Sequence, residues 1–257
     1  MFRLDGRVAL VTGAGPNNGR GVARALAAAG AAVAVGDKHA ATAATSRAAI
    51  EGESPKVVDV AFDVTDLAAV RAGLAAVEEQ LGAVDILVNN AGLPDPQPGQ
   101  TAGYLGPFKD SDPSLWHRWI DINLYGAMNC IRTVLPGMVD RGFGRIIQIS
   151  STSGSRGTAT GGSVYGASKA GIEGLLRHVA QEVAPHGVTA NSLALGPLEG
   201  EGRVENDKTS YTLSLIPVGR RGRPAEVGAA AVWLASDEGA WVTGQTIHLN
   251  GGSFPGR

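Results

Sequence analysis

The chain has 257 residues, a formal net charge of −2, 44% hydrophobic side chains and a single cysteine. That balance lacks the basic surface of a nucleic-acid or anionic-membrane binder, and a lone Cys130 excludes an intrachain disulfide. Residues 1–6 carry no basic segment followed by an apolar run. The most apolar segment, 22–35, is interrupted by Arg24 and Gly30 and is too short to span a bilayer, so a cytoplasmic protein without a secretory signal is expected.

Read in order, Val8-Ala9-Leu10-Val11 predicts a strand, followed by the turn Thr12-Gly13-Ala14-Gly15-Pro16-Asn17-Asn18-Gly19 and a helical pattern over 20–29 that stops at Gly30. Strand, glycine turn and helix N-terminus aim backbone N–H groups at a pyrophosphate. The spacing Gly13-x-Gly15-x-x-x-Gly19 is one residue longer than the usual dinucleotide fingerprint, and a tight turn alone also explains it. The next strand, 32–36, ends in Asp37, eighteen residues after Gly19, where an acidic side chain holds an adenosine ribose through its hydroxyls. A carboxylate there repels a 2′-phosphate and favours NAD over NADP, although Lys38 beside it partly offsets the repulsion.

The alternation continues. Residues 40–50 read as helix and 57–64 as strand, and Leu67, Val70, Leu74, Val77 and Leu81 form a helical stripe after a cap at Thr65 or Asp66. Ile86-Leu87-Val88 is a buried-type strand entering Asn89-Asn90-Ala91-Gly92. This pattern predicts an α/β fold, a Rossmann-type doubly wound parallel sheet of about seven strands with helices on both faces. Ligands of such sheets sit at the carboxyl ends of the strands, where Gly13, Asp37, Asp63 and Asn89 all fall. Residues 93–113 form an irregular loop of functional length. A helical stretch over 114–141 carries Trp116, Trp119, Ile122 and Asn123, with a kink or break predicted at Pro136.

The strand 145–149 delivers Ser150 and Ser151, and Tyr165 opens a helix with Ile172, Leu175, Leu176, Val179 and Val183 at helical spacing. After a strand at 188–193 comes Gly196-Pro197, and 199–210 is polar and Gly-rich, the expected mobile lid. Residues 224–235 read as helix with proline in the first turn, and 245–249 as the last strand. No repeat or linker is found, so one domain over 1–257 with a substrate lid at about 199–216 is expected.

Chemistry concentrates at Tyr165-Gly166-Ala167-Ser168-Lys169, because residues four apart share a helix face. A phenol titrates near 10. An ammonium about 5 Å away, at an effective dielectric near 20, favours phenolate by about 3 kcal/mol, or roughly two pKa units. Tyr165 would then enter the working range of a general acid/base. Other groups read as structural. His39, His117, His178, His186 and His248 show no ligand spacing, so no metal site is expected. Arg220, Arg221 and Arg223 read as a solvated turn, Trp116 and Trp119 as core or interface, and Cys130 as a small core residue.

In this order the motifs resemble those of the short-chain dehydrogenase/reductase family in its compact single-domain form, over about residues 3–252. Thr12 through Gly19 is similar to the family's longer glycine turn, Asp63 to its adenine-contacting acid and Asn89-Asn90-Ala91-Gly92 to its strand-four motif. Asn123, Ser151, Tyr165 and Lys169 follow the order of its catalytic tetrad, with Gly196-Pro197 after them. The resemblance implies that Tyr165 exchanges a proton with the substrate oxygen and Ser151 holds that oxygen. Lys169 lowers the Tyr165 pKa and binds the nicotinamide ribose, and Asn123 supports a water between Lys169 and solvent. Implied cofactor contacts are Thr12, Gly13, Gly15, Asn17, Asn18, Gly19, Asp37, Asp63, Val64, Asn90, Ala91, Gly92, Tyr165, Lys169, Gly196, Pro197 and Leu198.

Several positions depart from the family pattern. Asn17 stands at the middle glycine, Leu195 replaces the Pro before Gly196, and Gly200 lies where a Thr often binds the nicotinamide carboxamide. Ser151 is fourteen residues before Tyr165, one more than is common, which keeps Ser153 as an alternative. The implied function is hydride transfer between NAD(H) and a secondary alcohol or ketone. The alternatives are an NADP-dependent 3-oxoacyl reductase, which Asp37 disfavours, and a non-catalytic cofactor-binding regulatory protein, which the intact tetrad disfavours. Tyr104, Leu105, Phe108, Tyr211, Leu213 and Leu215 around the expected pocket, with no basic cluster, point to a neutral, partly apolar substrate. By family analogy the helix from Tyr165 and the preceding one pack against a second subunit, in a homotetramer or homodimer.

Overall fold

Strand side chains alternate between two apolar layers. The computed structural model describes residues 1–53, 56–92, 107–157, 161–200 and 213–255. In β1 (Val8–Thr12), Ala9 and Val11 face one layer while Val8 and Leu10 face the other, as a strand covered on both faces requires. The other strands are β2 (Ala32–Asp37), β3 (Val57–Ala61), β4 (Ile86–Asn89), β5 (Gly144–Ser151), β6 (Val188–Leu195) and β7 (Thr246–Leu249). All pair in parallel, in the order β3-β2-β1-β4-β5-β6-β7.

The helices are α1 (Asn18–Ala28), α2 (Ala40–Ile50), α3 (Leu67–Leu81), α4 (Trp116–Ile120), α5 (Gly126–Arg141), α6 (Thr152–Ser155), α7 (Ser163–Val183) and α8 (Pro224–Ala235). Val22 and Leu26 of α1 join Val227, Ala231 and Leu234 of α8 in the first layer. Val70, Leu74 and Val77 of α3, Ile131, Val134 and Met138 of α5, and Ile172 and Leu176 of α7 fill the second. Cys130 belongs to this second layer, and burial pushes its thiol up to about 12, so the reading as a core residue holds. Strand order reverses between β1 and β4, which opens a crevice at their carboxyl ends.

Element boundaries moved where capping or packing outweighed pattern. Asp66, not Thr65, caps α3, accepting from Ala68 N at 2.8 Å and Ala69 N at 3.2 Å. β3 stops at Ala61, leaving Asp63 and Val64 on the loop at the carboxyl edge. The helix expected over 114–141 is composite: after α4 comes a π turn, Asp121–Tyr125, and then α5. The change of helix type falls there, and α5 continues without a break through Pro136, with Val134 and Met138 buried on either side. Arg220 and Arg223 turn to Glu226, whose carboxylate accepts from Arg223 N at 2.7 Å and closes the start of α8. Tyr104 and Leu105 of the expected 93–113 loop, and Tyr211 of the expected lid, lie outside the described residues. Among the described residues, no helix is long and apolar enough to cross a membrane.

Candidate active site

Close backbone approach builds the glycine turn. Gly13 has φ +58, and a Cβ there would lie 2.6 Å from Ala91 Cα; one on Gly19 would lie 2.3 Å from Gly13 O. Only hydrogen fits at either position. Thr12 Oγ1 accepts from Asn90 N at 3.2 Å and Ala91 N at 3.3 Å, while Asn90 Nδ2 donates to Gly13 O at 2.6 Å. Asn18 Nδ2 donates to Asn90 Oδ1 at 2.7 Å, and Asn18 Oδ1 is buried without a hydrogen-bond partner.

Asn17, at the middle-glycine position, adopts a strained backbone. Its φ of 73 with ψ of −119 belongs to the glycine quadrant outside the left-handed helical well. Strain of this kind costs on the order of 1–3 kcal/mol. Asn17→Gly is therefore expected to raise the stability of the ligand-free protein by about 1 kcal/mol after the entropy cost of glycine, measured by urea unfolding.

A cavity of about 330 Å³ lies over this turn, lined by Thr12, Gly13, Asn17, Asn18 and Gly19. It is closed by Asp37, Asp63 and Val64 on one side and by Asn90, Ala91 and Gly92 on the other. Gly15 does not line it; a Cβ there would lie 3.3 Å from Thr42 Cγ2 and 3.7 Å from Asp37 Oδ2, so its bareness leaves room for the carboxylate. Asp37 Oδ1 accepts from His39 N at 2.9 Å, and Asp63 Oδ1 from Thr65 N at 2.9 Å, which fixes both acids at the rim. A glycine cradle, a helix N-terminus and a carboxylate at the far end fit a dinucleotide. Sequence reading missed Pro16, Phe62 and Ile122 in this lining; Phe62 was signalled only by standing next to Asp63.

A second cavity, about 550 Å³, shares Asn17, Asn18, Asn90 and Gly92 with the first. Ser151, Tyr165 and Lys169 line it opposite Gly196, Pro197, Leu198 and Gly200. A Cβ on Gly200 would lie 3.4 Å from Asn17 Oδ1, so the unusual Asn17 side chain faces the bare residue across the waist of the two cavities. Ser151 Oγ accepts from Ser153 N at 3.2 Å and hydrogen-bonds the Tyr165 phenol. Ser153 lines a different cavity. Asn123, on the π turn and 0% exposed, donates to Trp119 O at 3.1 Å, and its Oδ1 is buried without a partner. A point one bond out from Gly92 lies 2.8 Å from that oxygen and 3.0 Å from Lys169 Nζ. Asn123 and Lys169 thus close on one spot beside the crevice.

The electrostatics correct the sequence-based expectation. Burial raises the Tyr165 phenol above its ordinary value, and the Ser151 hydrogen bond only partly pulls it back. Lys169 does not acidify it. Its Nζ donates to Ile149 O at 2.9 Å and stands 5.8 Å from the Tyr165 ring centroid, and burial lowers the amine itself to about 8. Without ligand the phenol is a neutral proton donor. Trp119 packs its ring edge-on against Tyr165, with the ring centroids 5.3 Å apart.

A family model described as enoyl-(acyl carrier protein) reductase matches residues 14–253. The chain belongs to the short-chain dehydrogenase/reductase family. Among curated relatives of this short-chain dehydrogenase/reductase, the 3-oxoacyl-(acyl-carrier-protein) reductase FabG of Vibrio harveyi is 38% identical over 98% of this chain and 99% of its own. Galactitol 2-dehydrogenase of Agrobacterium fabrum is 35% identical over 98% and 99%. A crystal structure of a 3-oxoacyl-(acyl-carrier protein) reductase with bound NAD from Brucella melitensis superposes with a TM-score of 0.87, at 32% identity, covering 98% of this chain and 92% of that one. As a short-chain dehydrogenase/reductase the protein is an oxidoreductase, and its sheet and helices have the Rossmann-type arrangement of that family.

Proposed function

We propose that this oxidoreductase transfers a hydride between NAD(H) and a secondary alcohol or ketone, with Tyr165 as the general acid/base. One observation carries the reading: Ser151, Tyr165 and Lys169 line a cavity continuous with one that ends at the Asp37 carboxylate. A nicotinamide dinucleotide held along the glycine turn supplies the hydride. Ser151 holds the substrate oxygen within reach of the Tyr165 hydroxyl. Tyr165 gives that oxygen its proton in the reducing direction, consistent with a phenol kept neutral by burial. Lys169 orients the nicotinamide ribose, and Asn123 carries a water that renews the proton. The glycine turn, Asp63, Val64, Asn90, Ala91 and Gly92 hold the adenosine half, and Gly196, Pro197 and Leu198 the nicotinamide half.

Asp37 supports NAD over NADP, because its carboxylate would accept ribose hydroxyls and repel a 2′-phosphate. NADH is expected to bind at least about ten-fold more tightly than NADPH, with Asp37→Ala narrowing the ratio, measured by nicotinamide fluorescence titration. Tighter NADPH binding by the unaltered protein would move the reading to a 3-oxoacyl reductase using NADP. The substrate class of that second reading is favoured by the Vibrio harveyi relative; the galactitol 2-dehydrogenase relative favours a plain secondary alcohol. A screen of cyclic and linear secondary alcohols against a short 3-oxoacyl thioester separates them.

The same reading takes the chain as one cytoplasmic catalytic domain with a substrate lid at about 199–216, assembled as a homotetramer or homodimer. Exposed Tyr125 at the start of α5 and Trp241 at 99% exposure support assembly.

A further inference from the structure

Helix α7 buries a second ionisable group that the proposed chemistry leaves unused. Glu173 is 5% exposed and lies four residues beyond Lys169, on the same inward face as Ile172 and Leu176. A carboxylate is rarely left in such a place unless something fixes it. Ser150 Oγ donates to Glu173 Oε1 at 2.5 Å, and Ser150, 3% exposed, is the residue immediately before Ser151. The turn of α6 closes over the pair: a Cβ on Gly154 would lie 3.0 Å from Glu173 Oε1 and 3.1 Å from Lys169 C. The carboxylate therefore sits between the strand end that presents Ser151 and the helix that presents Tyr165 and Lys169.

We propose that Glu173 is a positioning residue of this site, whose buried negative charge keeps the Lys169 amine an ammonium while its Ser150 hydrogen bond ties the end of β5 to α7. The inference rests on the functional reading above for the use made of that ammonium. The charge inventory around Lys169 supports it. From its own helix come Tyr165 and Glu173; β5 offers Ile149 O and the hydroxyls of Ser150 and Ser151. The turn Asp121–Tyr125 carries Asp121 as well as Asn123, and it is the neutral Asn123 Oδ1 that meets the spot beside Gly92 with Lys169 Nζ. Burial drives the amine down to about 8, and Glu173 is the charge that opposes the fall. Without it, a buried ammonium would stand with no counter-charge, an arrangement that favours the neutral amine.

The test compares Glu173→Gln, which keeps an oxygen for Ser150 but removes the charge, with Ser150→Ala, which keeps the charge and removes the hydrogen bond. In ligand-free protein, the unfolding stability of wild type relative to Lys169→Met rises with pH as the amine deprotonates. Its onset is expected near 8 in the unaltered background and about one pH unit lower with Glu173→Gln, and to be unmoved by Ser150→Ala. NADH affinity across the same range, by fluorescence, is expected to fall off at correspondingly lower pH in Glu173→Gln. An unchanged onset in Glu173→Gln, whatever its melting temperature, overturns the proposal and makes Glu173 a packing residue. A shifted onset in a protein that binds no NADH at any pH leaves the proposed charge in place and overturns the dinucleotide reading instead.

Discussion

Tyr165→Phe is expected to lower turnover by about 10²–10⁴-fold, the contribution of a positioned proton donor, while NADH affinity stays within a few-fold of wild type. The substitution is clean because the ring stays where it is: its edge contact with Trp119 at 5.3 Å involves carbons that Phe retains. What disappears is the hydroxyl that meets Ser151. Initial rates on the alcohol or ketone found by screening, with a parallel fluorescence titration, check the claim. Equal rates for Phe and Tyr would remove Tyr165 from the chemistry and leave a protein that binds dinucleotide without this proton transfer.

The second large effect belongs to Lys169→Met, and it has opposite signs for activity and stability. Loss of the amine proposed to orient the ribose is expected to lower turnover by at least about 10²-fold. The same change removes a charge that the fold holds at a cost, since the amine is 3% exposed and its pKa falls from 10.5 to about 8. Below pH 8 wild type carries that cost in full. Between pH 8 and 10.5 the native protein has released a proton that the unfolded chain still binds, so native stability rises with pH. The advantage of the Met variant over wild type is therefore expected to shrink across that window by up to about 3 kcal/mol. Urea unfolding at a series of pH values measures it; a difference flat with pH would show that Lys169 titrates as it does in water.

The part of this fold that was legible in sequence is the part written in short repeating patterns. The apolar runs at Val8, Ile86 and Ile146 and the stripe from Leu67 to Leu81 each reflect burial on a fixed period, so strands, helices and parallel order follow from them. Asp37 and the glycine turn stood out because each lies at a strand end, and the structure brings them to one cavity. The illegible features depend on contacts between distant segments. Nothing near Asn123 announces a π turn, which joins α4 and α5 where both pack against α7. The direction of the Tyr165 shift was wrong in sequence because the four-residue spacing fixes a helix face and not where the amine points. Ile149 O, twenty residues away, captures it. Nothing in the sequence singles out Glu173, whose burial goes with a hydrogen bond from Ser150, twenty-three residues away.

The order of strands also sets a timetable for the chain's emergence from the ribosome. Val8 to Thr12 pairs locally with β2, but its other side waits for residue 86, and β6, buried along all eight residues, waits for Thr246 to Leu249. Until residues 246–249 are synthesised, β6 presents an unpaired border of the kind that recruits other chains. Nascent protein of this topology is accordingly vulnerable to aggregation between the synthesis of β6 and that of β7, and a stop codon shortly before residue 246 would leave that vulnerability permanent.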